Sequence, residues 1–156
     1  MMRRRDSARD YITTVLALAV AAVFIYAGID KIRDPLEFAD SIAAFDILPA
    51  TLIDLLALGL PPFEIACGLL LIAPQTRKVG ALAVAIISAV FFAAVLSALA
   101  RGLTLDCGCF GSGTPSRGRM WAELGLDVLL FAGALLIYLR TRVSSLAQST
   151  LSPRRP

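Results

Sequence analysis

The sequence contains no histidine, and only 17% of its 156 residues are charged. Without imidazole, the chain cannot build a His-ligated haem or a serine or cysteine nucleophile that is activated by a histidine base. It has only three cysteines, so a tetrahedral zinc site would need carboxylate ligands as well. The residues therefore predict no metal site. The alternative is a copper(I) site of two thiolates, because copper(I) prefers soft sulfur ligands.

The sequence has few charged residues and is correspondingly rich in apolar ones. They make up 58% of the sequence, whereas about 45 to 50% is usual in soluble domains, and the mean hydropathy is +0.77. A bilayer core about 30 Å thick is crossed by roughly 20 helical residues, and four stretches meet this length: 12–29, 52–73, 79–100 and 120–139. We predict one all-α domain over residues 1–145, an integral membrane four-helix bundle, followed by a disordered cytoplasmic tail at 146–156.

The first apolar stretch follows Arg3, Arg4, Arg5 and Arg9, a layout that secretory signal peptides share. Its apolar run is longer than the roughly 7 to 15 residues of a signal peptide, and it ends at Asp30 and not at small residues. We expect a retained first helix.

Basic residues are distributed unevenly between the two sides of the predicted bundle. The N-terminus, the second loop and the C-terminal tail hold ten of the fifteen: Arg3, Arg4, Arg5, Arg9, Arg77, Lys78, Arg140, Arg142, Arg154 and Arg155. The other two loops share Lys31, Arg33, Arg101, Arg117 and Arg119. By the positive-inside rule both termini are cytoplasmic in a bacterial inner membrane, and the first and third loops face outward, where disulfides persist. The basic tails are read as topology signals, so we predict no nucleic-acid partner.

A short amphipathic helix is predicted between the first two spans. Apolar residues recur at helical spacing from Asp30 to Asp46, Pro35 suits a first helical turn, and Pro49 would end the helix. Such a helix lies at the membrane surface. It either caps the bundle or docks a soluble partner through residues such as Phe38.

The second span contains two adjacent prolines and an acid, Pro61, Pro62 and Glu64. The prolines remove backbone donors and predict a kink or a break. An ionisable residue inside a membrane helix is costly, and it marks a candidate functional site. Alternatively, a protonated Glu64 locks helix packing through hydrogen bonds. Cys67, one turn further on, is expected to be a small core residue, with a redox role as the alternative.

The third span is rich in alanine and has Ser88 and Ser97 as its polar residues, so it is expected to be scaffold. The fourth span carries Glu123 and Asp127 on one face. These two carboxylates are candidates for proton transfer next to an outer loop. The alternative is a polar clamp to Arg101, Arg117 or Lys31.

The loop before the fourth span contains Cys107-Gly108-Cys109. A disulfide between residues two apart closes a very small ring, for which Gly108 supplies the bend. Strained or exposed disulfides are labile and suited to exchange. Cys107 and Cys109 are therefore candidate exchange residues, and an inert pair in a tight loop is the alternative.

Taken together, these residues resemble the MauE family, membrane proteins of methylamine utilisation clusters, within the wider DoxX-like group of four-helix membrane proteins. The likeness runs from about Val15 to Leu139. Its segments are 24–35, 47–49, 62–64, 68–71 and 107–111. The family-motif residues without assigned chemistry are Tyr26, Gly28, Asp30, Lys31, Pro35, Pro62 and Gly68.

The resemblance implies help with disulfide formation in, or maturation of, an exported enzyme such as the methylamine dehydrogenase small subunit. Cys107 and Cys109 would exchange disulfides with a thioredoxin-like periplasmic partner, so the chain would be a thiol–disulfide oxidoreductase or its accessory. The residues identify no cofactor, and a quinone in the bundle, near Glu64 and Phe63, is a candidate by architectural analogy. The other two hypotheses are a non-catalytic subunit that anchors a larger complex and a small transporter or metal-handling protein built around Glu64.

Overall fold

The computed structural model describes the backbone of residues 2–105 and 116–151, with side chains over 11–105 and 116–142. These residues form five helices and, within the described ranges, no strand. The helices are α1 (Met2–Arg33), α2 (Pro35–Ala44), α3 (Ala50–Ile72), α4 (Arg77–Ala100) and α5 (Arg117–Leu151). The predicted all-α fold, with a short helix between the first two long ones, is confirmed.

Four segments of these helices are long and apolar enough to cross a membrane: Tyr11–Arg33, Ala50–Ile72, Arg77–Ala100 and Arg117–Arg142. They coincide with the four predicted spans. The helices α4 and α5 begin two and three residues before the predicted spans, and α1 begins ten residues before, because charged residues such as Arg77, Arg117 and Arg9 continue the helix beyond the apolar run. The chain is an integral membrane protein.

The four long helices pack as a ring in which α1 contacts α3, α3 contacts α4, α4 contacts α5, and α5 returns to α1. Their shared interior is a cluster of small and branched side chains that includes Ala17, Leu71, Val84 and Ile137. A second cluster lies where α4 ends and α5 begins, around Phe45 and Met120. The two clusters leave room between them for the polar groups described below.

The α1–α3 contact is unusually close because it is built on two glycines. A Cβ atom placed on Gly28 would lie 2.7 Å from the Ile65 side chain and 2.8 Å from the Pro61 carbonyl oxygen. A Cβ atom on Gly68 would lie 2.7 Å from the Ile25 side chain. Small residues let membrane helices approach in this way. The order of these contacts shows that α1 and α3 run antiparallel.

Helix α3 continues through its two prolines, so the break that Pro61 and Pro62 could have caused does not occur. Its C-terminal end is capped from α4. The Arg77 guanidinium is buried and donates to the Leu71 and Ile72 carbonyl oxygens, at 3.0 and 3.3 Å, and to the Thr14 hydroxyl on α1. These bonds satisfy carbonyls that a helix end leaves without partners, so Arg77 has a structural role beside its predicted topological one.

Helix α2 begins as predicted. Pro35 occupies its first turn, and the Asp34 carboxylate accepts a hydrogen bond from the Glu37 amide at 3.0 Å, which is an N-cap. The predicted C-terminal end was wrong: α2 stops at Ala44, and Asp46 adopts a φ of 50°, a left-handed conformation that aspartate tolerates and that interrupts helical hydrogen bonding. Pro49 is instead the N-cap residue of α3.

Candidate functional site

The centre of the site is a buried ion pair between α1 and α3. The Lys31 ammonium lies 2.9 and 3.0 Å from the two carboxylate oxygens of Glu64, and the two side chains are 1% and 3% exposed. Side chains on a helix lean toward its N-terminus. Because α1 and α3 are antiparallel, Lys31 and Glu64 lean toward each other. Glu64, for which the sequence indicated no charged partner, therefore pairs with Lys31.

Two aromatic rings flank the same ammonium. The Lys31 Nζ atom lies 5.4 Å from the centre of the Phe38 ring on α2 and 5.6 Å from that of Phe91 on α4. Both distances are within the range of cation–π attraction, which is strengthened where water is excluded. Phe38 is 3% exposed, so it belongs to the interior and is not available for docking a partner.

A cavity of about 30 Å³ opens beside this pair. Each long helix contributes to its wall, and the polar lining residues are Lys31, Glu64, Ser88, Glu123 and Asp127. The structure therefore brings the three predicted carboxylates, Glu64, Glu123 and Asp127, to the same cavity. Within the described parts of the chain, no group of three or more Cys, Asp or Glu side chains is arranged to hold a metal ion.

Ser88 is the least expected member of this lining. It is 1% exposed, and its hydroxyl has no hydrogen-bond partner among the residues that the structure describes. A serine in a helix often bonds back to the carbonyl four residues earlier, but the Ser88 hydroxyl does not. An apolar-rich helix predicted to be scaffold thus contributes a polar group to the cavity.

The α4–α5 end of the bundle holds the two flanks of the cysteine loop. Arg101 donates to the carbonyl oxygens of Phe45 and Asp46, which ties the end of α4 to the segment after α2. The Leu105 amide donates to the Met120 sulfur at 3.4 Å. Cys107 and Cys109 lie outside the described residues, so their role stays a prediction.

The remaining predicted residues divide into packing and surface positions. Gly28 and Gly68 form the close α1–α3 contact, and Cys67 is a free, buried core cysteine. Tyr26, Pro35 and Pro62 are exposed on the outside of the bundle, and Asp30 is partly buried on α1.

The site prediction missed the pairing of Lys31 with Glu64. A usable signal was that Lys31 is a basic residue at the end of the neighbouring first span. It also missed Ser88, although Ser88 is one of the two polar residues noted in that span, and Phe91, for which no signal stands out in an Ala-rich apolar helix.

Comparison with known proteins identifies the family to which this bundle belongs. The family model described as methylamine utilisation protein MauE matches residues 9–140, which include every residue of the cavity. The chain belongs to the MauE family.

Two MauE relatives, both named methylamine utilization protein MauE, are similar over most of the chain. The protein from Methylophilus methylotrophus is 35% identical over 121 residues, which is 77% of this chain and 63% of the relative. The protein from Paracoccus denitrificans is 34% identical over 123 residues, which is 78% of this chain and 66% of the relative. The chain thus spans slightly less than two thirds of each relative. No solved structure matches it.

Proposed function

We propose that this MauE-family chain is a membrane accessory protein in methylamine utilisation. In this role it supports disulfide formation or maturation of an exported enzyme, such as the methylamine dehydrogenase small subunit. Cys107 and Cys109 exchange disulfides with a thioredoxin-like periplasmic partner.

The observation that carries the proposal is the Cys-Gly-Cys sequence between the last two spans of a MauE-family bundle. The names of the two relatives support a place in methylamine utilisation. Leu105 and Ser116, the described residues on either side of the loop, lie at the α4–α5 end of the bundle, where the Leu105 amide donates to the Met120 sulfur. An exchange site must be accessible to a soluble partner, which a loop between two membrane spans allows.

The orientation forms part of the proposal. Both termini are cytoplasmic, in the inner membrane of a bacterium, and the loop of Cys107 and Cys109 is extracytoplasmic, as the distribution of basic residues favours. The exported partner and the client enzyme then meet the thiols in an oxidising compartment.

The exchange proceeds in two balanced steps. A thiolate of the partner attacks one sulfur of the Cys107–Cys109 disulfide, and the other sulfur leaves as a thiolate. A second partner thiolate resolves the mixed disulfide, so the partner departs oxidised and Cys107 and Cys109 become a dithiol. The dithiol returns to the disulfide by passing two electrons to an acceptor of the quinone class, which takes up two protons. Because Phe63 is 52% exposed on the lipid side, a quinone that contacts Phe63 binds outside the bundle and not in the cavity.

The redox state of the cysteine pair in intact membranes tests this function. Differential alkylation from the outside, read by mass spectrometry during a titration with reductant, should show Cys107 and Cys109 cycling between dithiol and disulfide at a relatively oxidising potential. The Cys67→Ser variant is the matched control, since the buried Cys67 should not contribute to the signal. A partner variant that keeps only its attacking cysteine should accumulate as a mixed disulfide with the wild-type Cys107–Cys109 pair, because it has no second thiolate to resolve the mixed disulfide.

A pair that is inaccessible, or locked in one state throughout the titration, would contradict the exchange mechanism. The broader role is tested separately by complementation of a Paracoccus denitrificans strain that lacks its own MauE. We expect the wild-type chain to restore growth on methylamine and the Cys107→Ser variant to fail. Equal growth with both chains would show that the cysteines are dispensable.

A further inference from the structure

The cavity beside the Lys31–Glu64 pair has the size and the lining of a water site. A cavity needs roughly 10 to 15 Å³ to hold one water molecule, and that water needs two to four polar partners. The volume of about 30 Å³ accommodates one or two. Partners are present on all four long helices, in the form of Lys31, Glu64, Ser88, Glu123 and Asp127.

The unpartnered Ser88 hydroxyl is an independent indication that a ligand binds there. A buried hydroxyl without a hydrogen bond costs about 1 to 3 kcal/mol, and native interiors satisfy such groups with protein or with ordered water. Ser88 faces the cavity with its hydroxyl unsatisfied by the described residues. A water molecule in the cavity can accept from or donate to Ser88 and also bond to a carboxylate on α5 or α3.

We propose that the cavity binds one or two water molecules that bridge the Ser88 hydroxyl to the Lys31–Glu64 pair and to Asp127, and that this cluster carries protons for the redox reaction. The titratable groups that line it are Lys31 on α1, Glu64 on α3, and Glu123 and Asp127 on α5; α4 lines it with Ser88, Phe91 and Val95. Cys67 lies one turn from Glu64 in the core.

The role in proton transfer rests on the proposed function, whereas the water site does not. Oxidation of two thiols releases two protons at the outer end, and reduction of a quinone consumes two protons in the membrane. Ionisable residues inside membrane spans face the bundle interior and mark proton relays. Glu123 and Asp127 lie on one face of α5, which leads from the end of the cysteine loop to the cavity that Glu64 also lines.

Radiolytic labelling in ¹⁸O water tests the water site on the full chain in lipid nanodiscs. Hydroxyl radicals form from bound water and modify the side chains next to it, so Phe91 should be labelled several-fold faster than Phe63, its control at a similar depth on the lipid side. Ser88→Val, which fills the cavity and removes the hydroxyl, should lower Phe91 labelling to the Phe63 level. Ser88→Ala should lower it in part, and Ser97→Val on the same helix should leave it unchanged.

Labelling of Phe91 at the Phe63 rate in the wild-type chain would overturn the water site. So would undiminished labelling in both Ser88 variants. The Ser88→Ala variant keeps the test decisive if the larger valine disturbs folding, because the smaller side chain fits without displacing neighbours.

The proton role is tested with the alkylation assay in cells. Ser88→Val and Asp127→Asn should shift Cys107 and Cys109 toward the dithiol, since reoxidation is slowed, and Ser97→Val should retain the wild-type ratio. A wild-type ratio in both cavity variants would overturn the proton role. A wild-type pair that never cycles would instead contradict the proposed function, and the labelling result would stand independently.

Discussion

Lys31 and Glu64 are stable inside the bundle because each side chain compensates the charge of the other. On insertion scales, a charged residue at the centre of a membrane helix costs about 2.5 to 3.5 kcal/mol. Here the charges are within hydrogen-bonding distance, at 2.9 Å, and the ammonium also faces Phe38 and Phe91. Removal of one partner leaves the other charge buried without compensation, which is more costly than removal of both.

This asymmetry predicts the result of a double-mutant cycle. Lys31→Met should lower the free energy of unfolding by about 3 to 5 kcal/mol, measured by denaturant titration in detergent, whereas Lys31→Met combined with Glu64→Leu should recover most of the loss. Lys78→Met is the control, because Lys78 is exposed and its ammonium makes a cation–π contact, 5.7 Å from the Tyr138 ring, and the substitution should change stability by less than about 1 kcal/mol. If the losses of Lys31→Met and Glu64→Leu simply add, the two side chains are not coupled.

At the scale of helices, the register of α1 on α3 determines whether the ion pair can form. Gly28 and Gly68 lie at two points of that contact, where any side chain would overlap Ile65 or Ile25. Gly59, also on α3, has open space around it. The three glycines therefore differ in packing although all are helical.

Alanine substitution should separate these glycines. Gly68→Ala should destabilise the protein by about 1 to 3 kcal/mol through overpacking, whereas Gly59→Ala should be neutral or stabilise it by up to about 1 kcal/mol through helix propensity. Thermal unfolding in detergent measures both. Similar effects of the two substitutions would indicate that α1 and α3 are less closely packed than the structure shows.

At the scale of the whole molecule, every helix contributes to one polar centre. The helices α1, α3, α4 and α5 form the ring, and α2 covers Lys31 with Phe38. The cavity, the cluster of Phe45 and Met120, and the flanks of the cysteine loop all lie between the middle of the bundle and the end that carries α2. In the proposed orientation this end faces outward.

A membrane-impermeant maleimide tests that orientation on intact cells. After mild reduction, the reagent should label Cys107 and Cys109 and should not label Cys67, which is 1% exposed. The Cys107→Ser/Cys109→Ser variant should remain unlabelled until the membrane is dissolved and the protein unfolded. Labelling only after the cells are opened would reverse the predicted topology.

Much of the fold could be predicted because the bilayer imposes simple rules on the sequence. Span length, the turn residues around Pro35 and the helical spacing of apolar residues from Asp30 to Asp46 are local properties, and each predicted span corresponds to one long apolar helix. The C-terminal end of α2 was wrong because it depends on the left-handed backbone at Asp46, for which the more conspicuous Pro49 was a misleading signal. Glu64, Glu123 and Asp127 were recognised as candidates because charge within an apolar run is visible without coordinates.

The sequence by itself determined the membrane class, the number of spans and the place of the paired thiols between the last two spans, since these follow from composition and order along the chain. Only the tertiary structure decided that Lys31 pairs with Glu64 and that Ser88, Glu123 and Asp127 share their cavity. The physical reason is that these contacts join residues from different helices, and which faces meet depends on the close packing of Gly28 and Gly68 between α1 and α3. No local pattern encodes that packing.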